Sequence, residues 1–76
     1  MQTETDTVIE IFKTSINSQQ AAALVKHVLS DKYPDAKINF DLEDCDRILR
    51  IENKVICVED ITSMVNALGH QCEVLV

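Results

Sequence analysis

The sequence is poor in positive charge, in aromatic side chains and in long apolar runs. Seven Lys and Arg stand against thirteen Asp and Glu, for a formal net charge of -6. Nucleic acid and anionic lipid both attract Lys and Arg, so the composition argues against either partner. The stretch 47–52, R-I-L-R-I-E, lacks the aromatic residues on which RNA-recognition domains stack bases. No run of about 18 apolar residues occurs, so we expect no segment that spans a membrane.

The cysteines and the N-terminal residues give the expected compartment. Cys45, Cys57 and Cys72 are an odd number of thiols with no paired spacing, as in reduced cytoplasmic chains. Residues 1–6 are polar and acidic and lack the basic and apolar regions of a secretory signal. We therefore expect a cytoplasmic protein with a flexible tail at 1–6 and one small domain over residues 7–76.

Hydrophobic periodicity predicts six elements in the order βαββαβ. Alternating β-branched stretches predict strands, and apolar stripes at helical spacing predict helices. We expect strands at 7–13, 36–42, 47–52 and 71–76, and helices over about 19–32 and 58–68. Ser18 is a favourable N-cap for the first helix, and Pro34 prevents its continuation. Gly69, the single glycine of the chain, is the expected left-handed stop of the second helix.

This order predicts an α+β domain with a ferredoxin-like sandwich, in which two helices cover one face of a four-stranded antiparallel sheet. In the first helix, the expected core stripe consists of Ala21, Val25, Val28, Leu29 and Lys32, with the stem of Lys32 over its end. Because this fold serves many unrelated functions, the function must be sought in individual residues.

The stretch 12–25 reads F-K-T-S-I-N-S-Q-Q-A-A-A-L-V: a strand ends, an apolar residue follows and an Asn-Ser pair opens a helix. Together with the element order and the Ala-Leu-Gly close of the second helix, this layout resembles the heavy-metal-associated domains, the copper chaperone family. The loop of that family reads Met-Thr-Cys-x-x-Cys. In this chain the Met, the Thr and the two Cys are replaced by Ile16, Asn17, Ser18 and Ala21. The resemblance implies the family fold without its thiolate ligands.

The replaced loop positions argue against the metal chemistry of the family. Copper(I) prefers soft thiolates, whereas a hydroxyl at Ser18 and a methyl at Ala21 supply neither softness nor charge. We expect no resident cofactor at this loop. The sequence contains no recognisable arrangement of catalytic residues, so we do not expect an enzyme. One alternative is weak zinc or copper binding at a displaced site of Cys45 and His70, which the fold places at the same end as the loop. Another is a small-ligand regulatory domain of the ACT type, which shares the element order.

The outer face of the predicted sheet carries apolar residues. Alternation places Ile48 and Leu75 outward, and Ile9 and Ile11 join them if Phe12 faces the core. A contiguous apolar patch on an open sheet commonly marks a protein interface. We therefore expect a non-catalytic interaction module that binds a protein partner, or a second copy of itself, through these four residues.

Overall fold

The computed structural model describes residues 7–43 and 45–75. The strands in this part of the chain are β1 (Val8–Thr14), β2 (Lys37–Asp41), β3 (Ile48–Asn53) and β4 (Cys72–Val74), and the helices are α1 (Gln19–Lys32) and α2 (Val58–Ala67). The predicted order βαββαβ is confirmed, with several ends shifted by a residue or two. The predicted tail at 1–6 and the predicted strand end at Val76 lie outside the described residues.

The four strands form one antiparallel sheet in the order β2-β3-β1-β4. β1 is central: it pairs with β3 from Val8↔Asn53 to Lys13↔Ile48, and with β4 from Phe12↔Val74 to Thr14↔Cys72. β2 pairs with β3 over its whole length. The sheet edges are therefore β2 and β4, and the chain has an α+β fold.

The core is built from one face of the sheet and from both helices. Because successive side chains of a strand point to opposite faces, the strands contribute alternate residues. The buried apolar side chains are Phe12, Ile16, Ala22, Val25, Leu29, Ile38, Leu49, Ile51, Ile61 and Val65. Each fully buried Val, Leu, Ile or Phe contributes roughly 1.5–3 kcal/mol relative to an exposed side chain, so these residues dominate the stability of the fold.

The predicted stripe of α1 is confirmed in part. Val25 and Leu29 are buried and Ala21 packs half-buried against the core, but the buried Ala22 was not in the stripe and Lys32 is exposed. The buried face of α1 thus follows an i, i+3, i+7 pattern through Val25 and Leu29. Lys32 lies at the exposed end of this stripe, where its ammonium group binds the carboxylate of Asp60 on α2.

The ends of both helices agree with their predicted capping residues. Ser18 has extended backbone angles, and its Oγ accepts a hydrogen bond from the Ala21 amide at 3.1 Å. Gly69 has a left-handed φ of 92°. The amides of Gly69 and His70 donate to carbonyls of the last turn of α2, as in a Schellman motif. Neither helix of the described part has the length and apolarity that a bilayer crossing requires.

Candidate functional site

Three loops meet at the end of the sheet where β1 leads into α1. The Thr14 amide donates to the Asp46 carbonyl at 3.1 Å, which joins this loop to the β2–β3 hairpin. The Ser15 amide donates to the Gln71 carbonyl at 3.1 Å, which joins it to the connection between α2 and β4. The predicted convergence of the three segments at one end of the fold is confirmed.

Thr14 is the buried polar residue of this loop end. Its side chain is 7% exposed. Oγ1 donates to the Arg47 carbonyl at 2.7 Å and accepts the amide of Ile16 at 3.1 Å. Ser15 Oγ accepts the Gln71 amide at 2.8 Å. The sequence analysis assigned no role to either hydroxyl. The signal that could have shown their role is a Thr-Ser pair at the end of a strand, in a loop that must contact two other loops.

Arg47 closes the hairpin in an uncommon conformation. Its φ of 49° lies in the left-handed region, which a side chain with a Cβ rarely adopts. The hydrogen bond from Thr14 to its carbonyl and the bond from its Nη1 to the Leu42 carbonyl, at 3.3 Å, hold it there. The hairpin tip is thus fixed to β1 by hydrogen bonds.

The loop positions singled out by the sequence carry neither a thiol nor an imidazole. Asn17 and Ser18 are exposed, and Ala21 is half-buried. The Ser18 hydroxyl accepts the capping bond of α1, so its role in the structure is to satisfy a free amide of the first turn.

Cys45 and His70 lie on two of the converging segments. Cys45 is exposed in the hairpin, and His70 is half-buried between α2 and β4. Within residues 7–43 and 45–75, no three His, Cys, Asp or Glu side chains form a group that could hold a metal ion. Two side chains fall short of the three or four ligands that zinc usually takes.

The other two cysteines differ in environment. Cys72 is half-buried and packs against the core as a small apolar side chain does. Burial, together with the negative charge of Glu73, raises the pKa of the Cys72 thiol to about 11, so the thiol is protonated at neutral pH. Cys57 is exposed at the N-cap of α2 and makes no capping bond through its side chain.

A polar cluster at the opposite end of the fold joins the two helices. Lys32 Nζ lies 2.8 Å and 2.9 Å from the two carboxylate oxygens of Asp60. The Tyr33 hydroxyl donates to the same carboxylate. This bond, with burial and the negative charge of Asp60, raises the pKa of Tyr33 to about 12. Hydrogen bonds from Lys32 and Tyr33 lower the pKa of Asp60.

The sheet face opposite to the core is called here the outer face. Ile9, Ile11, Ile48 and Leu75 all lie on it, and they form its apolar patch. The Leu75 amide donates to the Ile11 carbonyl at 2.8 Å, so these two residues are neighbours across strands. Ile9 is 47% exposed and Leu75 is 39% exposed, whereas Ile11 and Ile48 are half-buried.

Charged side chains of both signs surround this apolar patch. The strand register places on the outer face three basic residues, Lys13, Lys37 and Arg50, and three acidic residues, Asp41, Glu52 and Glu73. These six strand charges balance, and the carboxylate of Asp46, 3.9 Å from Lys13 Nζ, adds one negative charge beside them. The outer face is therefore an apolar patch within charges of both signs, on a chain whose net charge is -6.

Comparisons of the chain with protein-family models, with curated proteins and with solved structures find no match. The resemblance of residues 12–25 to the heavy-metal-associated loop therefore stands on those residues and on the order of the elements. What the protein does has to be argued from its surfaces, and the outer face and the loop end are the two candidates.

Proposed function

We propose that this chain is a non-catalytic protein-interaction domain that binds a protein through the outer face of its sheet. The observation that carries the proposal is the contiguity of Ile9, Ile11 and Leu75, with Ile48 diagonal to Ile11, on the face opposite to the core. The chemistry of this surface fits a partner with an apolar centre and charges of both signs around it.

The magnitude of the apolar contribution sets what the partner must supply. Because Ile9 and Leu75 are about half exposed, covering them contributes roughly 1 kcal/mol each, and the two half-buried isoleucines contribute less. Association costs about 4–15 kcal/mol in lost translational and rotational freedom. The apolar patch alone is therefore insufficient, and the surrounding charges must find opposite charges on the partner.

The scaffold we propose is the ferredoxin-like sandwich, in a chain related to the heavy-metal-associated domains. The strand order β2-β3-β1-β4 and the core shared by one sheet face and both helices support the sandwich. Ser18 at the N-cap supports the relationship, because it stands where the first family cysteine would begin the helix. In this reading the frame of the loop is kept and its metal function is lost.

The relationship predicts that restoring the two thiols restores a metal site. We expect the double variant Ser18→Cys, Ala21→Cys to bind copper(I) or zinc, because the spacing places both thiolates at the start of α1. The single variant Ser18→Cys is the matched control and should bind far more weakly. Competition against a chelator measures both. A double variant that binds no better than the single variant would contradict the relationship.

Photo-crosslinking from the outer face tests the interaction function. A benzophenone side chain is placed at Ile9, and in a control protein at Leu24, which is 53% exposed on α1 and away from the outer face. In cells of the source organism we expect a covalent adduct with a protein from position 9 and none from position 24. Equal adducts from both positions, or none from position 9, would overturn the proposed function.

A further inference from the structure

We infer that the protein bound at the outer face is a second copy of this chain, docked face to face about a two-fold axis that runs across the strands. This inference rests on the proposed function and names its partner. It comes from the arrangement of charges on the outer face, which is complementary to itself under that rotation.

The outward side chains form three rows that cross the sheet. The first row holds Lys37, Glu52 and Ile9; the middle row holds Asn39, Arg50, Ile11 and Leu75; the third row holds Asp41, Ile48, Lys13 and Glu73. The first row is positive at the β2 edge of the sheet, and the third row is negative there. This opposition of sign is what a two-fold axis along the middle row exploits.

A rotation about the middle row sets each strand over the same strand of the second copy and exchanges the first row with the third. Lys37 then faces Asp41 of the second copy, and by symmetry this ion pair forms twice. Glu52 falls over Ile48 of the second copy and beside its Lys13, since β1 and β3 are neighbours. Ile9 falls over the stem of that Lys13. Two sheets packed in this way are aligned to within about 30°, a common arrangement for sheets packed face to face.

The middle row supplies the apolar centre and one contact between like charges. Ile11 and Leu75 each meet their own counterparts. The two Arg50 side chains also approach each other, but each lies between Glu52 of its own strand and Glu52 of the second copy. Charges of opposite sign therefore alternate along β3, and the two arginines are compensated.

The competing axis, parallel to β1, lacks this complementarity. It would place Lys13 against Lys13 of the second copy, and it forms no pair equivalent to Lys37 and Asp41. The six strand charges of the outer face sum to zero, so two copies of a chain with net charge -6 can meet there with little repulsion between those charges.

The size of the outer face predicts a weak dimer. Four strands spaced about 4.8 Å apart, each with about five residues at about 3.3 Å, give a footprint of roughly 300 Å². Side chains make the accessible area larger than this flat footprint, but even twice the footprint stays below the ~800 Å² per partner of a standard stable interface. We therefore expect association that depends on concentration in the micromolar to millimolar range.

Sedimentation of the purified 76-residue chain tests the inference. From about 10 µM to about 1 mM, we expect the apparent mass to rise from 8.6 kDa toward twice that value. Lys37→Asp and Asp41→Lys should each weaken the dimer about tenfold, because each variant sets like charges against each other twice. Lys26→Asp, an exposed position of α1 away from the outer face, is the matched control and should leave the dimer unchanged.

Mixing the two variants separates this arrangement from any other. Lys37→Asp and Asp41→Lys chains complement each other at both ion pairs, so their mixture should associate about tenfold more tightly than either variant alone. The arrangement would be overturned if the two charge reversals left the dimer affinity unchanged, or if the mixture associated no more tightly than either variant alone. A chain that stays monomeric while position 9 crosslinks to a different protein overturns the second copy and leaves the proposed function. A chain that stays monomeric and forms no crosslink from position 9 overturns both the second copy and the proposed function.

Discussion

The substitution Thr14→Val removes one hydroxyl and keeps the shape of the side chain, so it isolates the two hydrogen bonds of Thr14 Oγ1. The bond from the Ile16 amide is buried, and the bond to the Arg47 carbonyl is partly buried. An unsatisfied buried polar group costs about 1–3 kcal/mol. Because two groups lose their partner, we expect the free energy of unfolding to fall by about 2–4 kcal/mol.

That loss is large for a chain of this size. Small domains have unfolding free energies near the lower end of about 5–15 kcal/mol, so Thr14→Val removes much of the total. Since 1 kcal/mol corresponds to about 4–8 °C in a domain of 60–100 residues, the melting temperature should fall by roughly 10–30 °C. Urea unfolding followed by circular dichroism measures the free energy directly.

Two further substitutions decide whether the hydroxyl is the cause. Thr14→Ser keeps the hydroxyl and loses one methyl group, which costs only about 0.8 kcal/mol. Thr62→Val removes a hydroxyl that donates to the Glu59 carbonyl at the exposed surface of α2, and the change should stay within about 0.5 kcal/mol. If Thr14→Val unfolds at the same urea concentration as Thr14→Ser, the argument from buried hydrogen bonds is refuted.

Three further predictions concern the helix ends. Ser18→Ala removes the N-cap and should cost about 1 kcal/mol in urea unfolding, whereas Ser18→Asp should retain stability. An added Cβ at Gly69 meets nothing within 4 Å, so Gly69→Ala should cost only the left-handed strain of about 1–2 kcal/mol, and equal stability would contradict this. The pKa of Tyr33 in the folded chain, about 12, lies above its ordinary 10.0. The protonated Tyr33 hydroxyl, which donates to Asp60, therefore stabilises the fold fully below pH 10, and this contribution is lost as the pH rises to about 12. Tyr33→Phe should remove that alkaline loss, measured as the pH dependence of the unfolding midpoint.

Local sequence signals predicted the elements and their ends. Ser18, Pro34 and Gly69 each act on the backbone within a few residues, so their effects are readable without the tertiary structure. The period of two in a strand is equally local: Ile38, Leu49 and Ile51 are buried and alternate with more exposed neighbours. Such signals carry no information on which distant residues meet. The predicted stripe of α1 began at Ala21, one position before the buried Ala22.

The contacts that sequence reasoning missed join residues far apart in the chain. Lys32 and Asp60 are separated by 28 positions, and Thr14 and Arg47 by 33. Lys32 was expected to lie over the apolar stripe, since a long aliphatic stem favours that position on an isolated helix. In the folded chain the start of α2 presents the Asp60 carboxylate beside it, and the charged group pairs with that carboxylate.

The loop end and the outer face differ in whether their side chains have partners within the fold. At the loop end, the hydroxyls of Thr14, Ser15 and Ser18 each accept a backbone amide, so the hydroxyls that stand near the family's ligand positions serve the fold itself. On the outer face, Ile9 and Leu75 have no such internal use and remain exposed to water. Covering them releases free energy only if another molecule arrives, and the balanced charges around them admit a partner that the rest of this acidic chain would repel. This contrast supports placing the function on the sheet and not in the loop.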